Sequence, residues 1–160
     1  NQLCYNQTMN LIDQQLEQFN DEKYDALSNL SNVTSFLAQE FNDANWVGFY
    51  ILRDKQLELG TFSGKPACAL LPYNTGVCWQ AINNNELLYV PEVNNFPGHI
   101  ACDSASKAEL VLPLGHDKII GVLDLDYPKI NPLSAEAKKN IKELKPALTK
   151  ILQRFIDTYH

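Results

Sequence analysis

The chain has 160 residues, of which 45% are hydrophobic and 20% charged, so it can bury one core and is not a disordered chain. The formal net charge of −6, with no cluster of Lys or Arg, argues against a nucleic-acid partner, which needs such a cluster, and we expect none. The apolar runs are far shorter than the roughly 20 residues that span a membrane, and residues 1–7 lack the features of an export signal. We therefore expect a single cytoplasmic domain over 1–160, without a membrane segment.

The first third of the chain predicts two helices followed by a β-hairpin. Apolar residues recur at spacings of three and four over 9–19 and 27–41, which is typical of amphipathic helices. Aromatic and β-branched residues then fill 46–52, and a short turn leads to a second apolar segment at 57–59. We treat residues 1–24 as a helical extension and the remainder as the core of the domain.

The middle of the chain predicts shorter elements. A third strand is expected over 67–71, and Thr75 can cap a short helix over 75–82. A further strand is expected over 86–93, and Asn, Pro and Gly residues then start a loop at 94–106.

The last third predicts a second hairpin and a long helix. Strands over 107–114 and 118–126 are joined by a tight turn at 115–117. Ser134 is positioned to cap the final helix, and Pro146 is expected to kink it. The order ααβββαβββα favours an α+β fold built on an antiparallel sheet, with helices at both ends.

Three carboxylates are expected on one face of the last hairpin. Alternation places Glu109, Asp124 and Asp126 together on the face opposite to the leucines, which form the core face. If Gly115 pairs with Lys118, Glu109 lies directly opposite Asp124. Like charges so placed destabilise a sheet and imply a cationic group, a metal or a protonated carboxyl. A solvent-exposed acidic strand end is the alternative.

Three cysteines have the spacing C-x9-C-x23-C, which is a poor template for structural zinc, even with His99 included, because zinc sites use closely spaced pairs. Each cysteine could also be a small buried apolar residue. Cys78 lies at a predicted helix start, where the dipole would lower its pKa. For Cys102, His99 favours the thiolate and Asp103 opposes it. These arguments do not rank Cys78 against Cys102.

Two aromatic residues of the first strand, Trp46 and Tyr50, alternate onto the same face. They could form the wall of a pocket for a small ligand, or they could be ordinary core residues.

Five short motifs complete the sequence evidence: NWVGFY at 45–50, GKPAC at 64–68, GVC at 76–78, GHIACD at 98–103 and GVLDLD at 121–126. Together they resemble the free methionine-(R)-sulfoxide reductases, which are single-domain enzymes of the GAF fold. The resemblance runs from about residue 25 to the final helix. It implies a six-stranded antiparallel sheet flanked by N- and C-terminal helices, in agreement with the order of elements.

The resemblance also implies a thiol mechanism. Cys102 would attack the sulfur of free methionine sulfoxide, leaving a sulfenic acid with which Cys68 condenses to a disulfide. Thioredoxin would reduce this disulfide, and Cys78 would be a third thiol able to exchange with it. No resident cofactor or metal is expected. We follow this assignment in preference to a nucleophilic Cys78.

The resemblance also implies that the three acids bind the substrate. Glu109, Asp124 and Asp126 would bind the ammonium group, with Glu109 or Asp126 as the proton donor to the sulfoxide oxygen. Trp46 would pack against the substrate methyl group, with Tyr50 as a further contact. A non-catalytic GAF module that binds a small ligand or senses oxidants is the alternative, and left-over apolar surface could form a homodimer.

Overall fold

The fold was taken from a computed structural model, which describes residues 11–98 and 104–160. The helices are α1 at residues 11–18, α2 Ala26–Glu40, α3 Val77–Asn84, α4 Ala135–Glu143 and α5 Lys145–Tyr159. The strands are β1 Trp46–Arg53, β2 Gln56–Ser63, β3 Leu70–Leu71, β4 Leu88–Val90, β5 Ala108–Leu114 and β6 Gly121–Tyr127. Within residues 11–98 and 104–160, no helix is both long and apolar enough to cross a bilayer.

The six strands form one sheet in the order β3-β2-β1-β6-β5-β4, and every neighbouring pair is antiparallel. Helices α2 and α5 pack against each other and against strands of the sheet, whereas α3 packs on β4, β5 and β6. The predicted α+β architecture is therefore confirmed.

The main core lies on the sheet face covered by α2 and α5. The leucines that alternation assigned to this face are all at most 1% exposed: Leu110, Leu112, Leu114, Leu123 and Leu125. Since full burial of one leucine contributes about 1.5–3 kcal/mol, this row anchors β5 and β6 firmly. A second apolar cluster lies on the opposite face, around Trp46, Tyr50 and Trp79.

The predicted final helix is divided in two at Leu144, two residues before Pro146. Ser134 caps α4 as expected, because its hydroxyl accepts a hydrogen bond from the Ala137 N–H at 3.1 Å. The helix stops before Leu144, and Pro146 stands in the first turn of α5. Proline has no N–H to donate but fits a first turn, so the chain starts a new helix there.

Three local predictions are corrected by the structure. The third strand contains only residues 70–71 instead of 67–71, and the fourth only 88–90 instead of 86–93. Thr75 does not cap α3, because its hydroxyl bonds the Tyr73 carbonyl and the N-cap is Gly76, whose φ of 90° favours glycine.

The register of the last hairpin also differs from the prediction. Leu114 pairs with Gly121, so Glu109 lies opposite Asp126 and not opposite Asp124. The pairing has moved by two residues, which leaves every side chain on its predicted face.

The cause of this difference is a longer connection over residues 115–120. The Ile120 N–H donates to the Leu114 carbonyl at 2.8 Å, so the hairpin closes around six residues instead of the three of the predicted turn at 115–117. Gly115 has a φ of 138°, and a Cβ there would collide with the Lys118 carbonyl oxygen. Only glycine fits this conformation.

Candidate active site

A cavity opens on the sheet face opposite to the main core. Strands β1, β5 and β6 form its floor, and the start of α3 and the segment 64–71 form its walls. The empty space in the cavity and at its mouth, including open solvent, is about 580 Å³. Its lining residues are Trp46, Tyr50, Lys65, Pro66, Ala67, Leu71, Gly76, Val77, Cys78, Ser106, Glu109, Asp124 and Asp126.

The three acids singled out in the sequence meet in this cavity. Glu109 is 7% and Asp124 is 6% exposed, and Asp126 is half-buried beside them. Glu109 projects from β5, whereas Asp124 and Asp126 project from the neighbouring β6. The alternative of a solvent-exposed acidic strand end is thereby excluded for Glu109 and Asp124.

Burial changes the acidity of this cluster. Loss of hydration, followed by the negative charge of Asp126, raises the pKa of Glu109 to about 8. Burial and the charge of Glu109 raise the pKa of Asp124 well above its ordinary value. The interaction between the two carboxyls lowers the pKa of Glu109 and raises that of Asp124. Oxygen Oδ1 of Asp124 is buried without a hydrogen-bond partner, so the fold itself leaves one acceptor of the cluster unsatisfied.

Cys78 lies in the first turn of α3 and its side chain reaches the acids. Its sulfur and the carboxylate oxygens of Glu109 and Asp124 lie within 4.8 Å of one another. Cys78 is a free thiol, and burial together with the charge of Asp124 raises its pKa well above the ordinary value. The prediction of a lowered pKa is therefore wrong, because lost hydration and three nearby acids outweigh the dipole of an eight-residue helix.

Trp46 and Tyr50 line the cavity as expected, and they also hold one of its walls. The Trp46 indole N–H donates to the Lys65 carbonyl at 3.1 Å, and the Tyr50 hydroxyl donates to the Cys68 carbonyl at 3.0 Å. The two rings stack with their centroids 5.9 Å apart. The wall that they fix is the segment leading to Cys68.

Cys68 is half-buried and takes part in a disulfide. Its partner lies outside the described residues, because Cys78, the other cysteine within them, is free. Cys102, His99 and Asp103 also lie outside the described residues. The roles predicted for Cys102 and Cys68 therefore stay predictions.

The sequence argument missed two polar groups of this cavity. Lys65 carries the cationic side chain among the described lining residues, and Ser106 stands where the chain enters β5. Lys65 belongs to the GKPAC motif, so its place three residues before Cys68 could have indicated it. The Ser106 hydroxyl accepts a hydrogen bond from the Asn45 amide at 3.1 Å, a contact across 61 residues that no local pattern reveals.

Comparison with protein-family models gave no match, but individual known proteins are similar over most of the chain. The free methionine-R-sulfoxide reductase of Escherichia coli (strain K12) is 42% identical over 127 residues, which cover 79% of this chain and 77% of the relative. The solved structure of a free methionine-R-sulfoxide reductase from Neisseria meningitidis in complex with its substrate has a TM-score of 0.83 at 33% identity, covering 94% of this chain and 91% of that one. A solved GAF domain has a TM-score of 0.81 at 32% identity, covering 91% and 87%. The chain therefore belongs to the free methionine-R-sulfoxide reductase family and has the GAF fold.

Proposed function

We propose that the protein reduces free methionine-(R)-sulfoxide to methionine in the acidic cavity. The observation that carries the proposal is the buried Glu109–Asp124 pair with its unpartnered oxygen, set against the wall that leads to Cys68. The relatives from E. coli and N. meningitidis, both named as free methionine-R-sulfoxide reductases, support the same assignment.

The substrate is held by its ammonium group. A free amino acid brings a cation that can donate several charge-assisted hydrogen bonds to Glu109, Asp124 and Asp126. Such a group would satisfy the Asp124 oxygen that has no partner. The ring of Trp46 provides an apolar wall for the methyl end, Tyr50 flanks it, and Lys65 at the rim is available to the substrate carboxylate. An oxidised methionine within a protein chain has no free ammonium group and does not fit this arrangement.

Reduction follows the thiol chemistry that the motifs imply. Cys102 attacks the sulfoxide sulfur and forms a transient S–S bond. The oxygen then moves from that sulfur to the Cys102 sulfur as the S–S bond and the original S–O bond break, so methionine leaves and Cys102 holds a sulfenic acid. The oxygen must gain a proton as that bond weakens. Glu109 is suited to provide it, because its pKa of about 8 leaves it largely protonated at neutral pH. Asp126 is the other candidate donor.

Two thiols and an external reductant complete the cycle. The Cys68 thiol displaces water from the Cys102 sulfenic acid and forms a disulfide, which two electrons from thioredoxin return to thiols. The disulfide of Cys68 is consistent with the oxidised state of the enzyme in this cycle. Cys78, with its buried thiol of raised pKa, is a poor nucleophile in the resting protein and enters only as a third exchange partner.

The test is an NADPH-coupled thioredoxin assay with the two sulfoxide epimers of free methionine. We expect turnover of the R epimer alone. Cys102→Ser should abolish turnover, and Cys68→Ser should release one methionine per protein and then stop. Cys4→Ser, which alters a cysteine without an assigned role, is the control. Full activity of Cys102→Ser would refute the mechanism, and binding without turnover in the unmodified protein would favour a non-catalytic ligand-binding module.

A further inference from the structure

Three buried groups in the cavity lie close enough to one another to hold a single ion, and Cys78, which has no direct role in the attack on the substrate, is one of them. The sulfur of Cys78 and carboxylate oxygens of Glu109 and Asp124 lie within 4.8 Å of one another, and all three residues are more than nine-tenths buried. An independent observation points to a cationic occupant. Asp124 lines the cavity, and its Oδ1 has no hydrogen-bond partner.

The donor set matches one class of cation. Zinc accepts thiolate and carboxylate ligands together, whereas magnesium and calcium prefer oxygen alone. Zinc sites that can take up a further ligand have three protein ligands and an open fourth position. We propose that this cavity binds Zn²⁺ through Cys78, Glu109 and Asp124. The site is distinct from the zinc template considered for the spaced cysteines, because it uses one cysteine and two acids.

The geometry needs only a small adjustment. Zn–S and Zn–O bonds of about 2.3 and 2.1 Å in a tetrahedron place ligand atoms about 3.4–3.6 Å apart. The three donors therefore have to draw together by at most about 1.4 Å relative to their 4.8 Å limit. They project from α3, β5 and β6, which surround the position from three sides.

Binding is an exchange of protons for the ion, with no change of oxidation state. The Cys78 thiol and the protonated carboxyl release their protons to solvent, and the three anionic donors coordinate Zn²⁺. Asp126, which is also close enough to influence both Cys78 and Glu109 by its charge, adds to the negative potential of the site. No basic residue among the described lining residues other than the exposed Lys65 opposes the ion.

The ion and the substrate would compete, because the same carboxylates are assigned to the substrate ammonium. This consequence depends on the proposed function, whereas metal binding itself does not. Zn²⁺ would then act as a reversible inhibitor that also prevents exchange reactions of Cys78.

The test uses Co²⁺ as a spectroscopic substitute for Zn²⁺ in the disulfide form of the protein, with chelator-treated buffers. We expect one equivalent of Co²⁺ to give a thiolate-to-metal charge-transfer band that Zn²⁺ removes. Cys78→Ser should lose the band. It should also bind Zn²⁺ at least roughly 10–100-fold more weakly, because removal of a residue that only supports a metal ligand already has an effect of that size. Glu109→Gln should also weaken binding, and Asp117→Asn, in the exposed loop after β5, should not.

Absence of the band in the unmodified protein, or an equal band in Cys78→Ser, would overturn the proposal. Two titrations with free methionine-(R)-sulfoxide separate the two ideas: calorimetry on the metal-free protein measures whether the sulfoxide binds, and the charge-transfer band of the Co²⁺ form shows whether it displaces the ion. If the sulfoxide binds and displaces Co²⁺, the shared site is supported. If it binds and leaves the band intact, the placement of the ion is wrong. If it does not bind at all, the proposed function fails while the Co²⁺ titration still decides the metal site.

Discussion

Replacement of Glu109 by glutamine should stabilise the protein at alkaline pH, although it removes a group assigned to the substrate. The carboxyl is 7% exposed, and burial with the charge of Asp126 raises its pKa from 4.5 to about 8. The folded protein therefore holds the proton more tightly than the unfolded chain does. Its contribution to stability is fully present below pH 4.5 and is lost as the pH rises through 8.

The size of the effect follows from the pKa change. Each pKa unit corresponds to about 1.4 kcal/mol, so ionising Glu109 in the folded state costs on the order of 5 kcal/mol relative to the unfolded chain. The glutamine side chain cannot ionise and retains an amide that can donate to Asp124. The free energy of unfolding of Glu109→Gln, relative to the unmodified protein, should therefore rise by up to about 5 kcal/mol between pH 4 and pH 9.

The assay is urea unfolding, supported by thermal unfolding, at five pH values from 4 to 9 in one redox state. Because about 1 kcal/mol shifts the melting temperature of a domain of this size by roughly 2–4 °C, the difference between the two proteins should grow by about 10 °C or more. Asp117→Asn, at an exposed position, should track the unmodified protein. Parallel stability curves for Glu109→Gln and the unmodified protein would refute the reasoning, since they would mean that Glu109 ionises normally.

Further predictions concern the walls of the cavity. Gly48→Ala should destabilise the protein by about 1–3 kcal/mol, because its Cβ would collide with the Trp46 ring, and chemical unfolding measures this loss. Tyr50→Phe removes the hydrogen bond to the Cys68 carbonyl and should lower the free energy of unfolding by about 1 kcal/mol. The rate at which thioredoxin reduces the Cys68 disulfide should also change, and stopped-flow fluorescence would measure it. Iodoacetamide should alkylate Cys78 slowly at pH 7.5, as followed by mass spectrometry, because the thiol is buried and its pKa is raised. Rapid alkylation would restore the helix-dipole argument.

Much of this site follows from simple alternation along two strands. The period of two along β5 and β6 predicts that Glu109, Asp124 and Asp126 share a face, and the structure places them there. The prediction was insensitive to the error in register, because a shift by two residues exchanges partners without exchanging faces. The register itself depends on the conformation of Gly115 in a six-residue connection, which composition does not specify.

Other features depend on distances that only the folded chain defines. The pKa of Cys78 is raised first by burial and then by the charges of Asp124 and Glu109, which lie more than thirty residues away in sequence and within 4.8 Å in space. From the sequence, Trp46 is a candidate for a pocket wall or for the core, but its bond to the Lys65 carbonyl requires the packing of β1 against a segment of irregular structure. Local helix arguments could predict neither.

The account depends most on recognition of an ammonium group by the buried acids. The direct test compares free methionine-(R)-sulfoxide with its N-acetylated form, using the unmodified protein and Asp124→Asn in the thioredoxin-coupled assay. We expect kcat/KM of the unmodified protein to be lower for the acetylated compound than for the free amino acid, and kcat/KM of Asp124→Asn for the free amino acid to be lower than that of the unmodified protein. Each decrease should correspond to about 1.5–3 kcal/mol of transition-state stabilisation, which is the usual contribution of a hydrogen bond to a charged group. Because both changes remove the same contact, Asp124→Asn should discriminate far less between the two compounds. Equal use of both compounds by the unmodified protein would contradict the account.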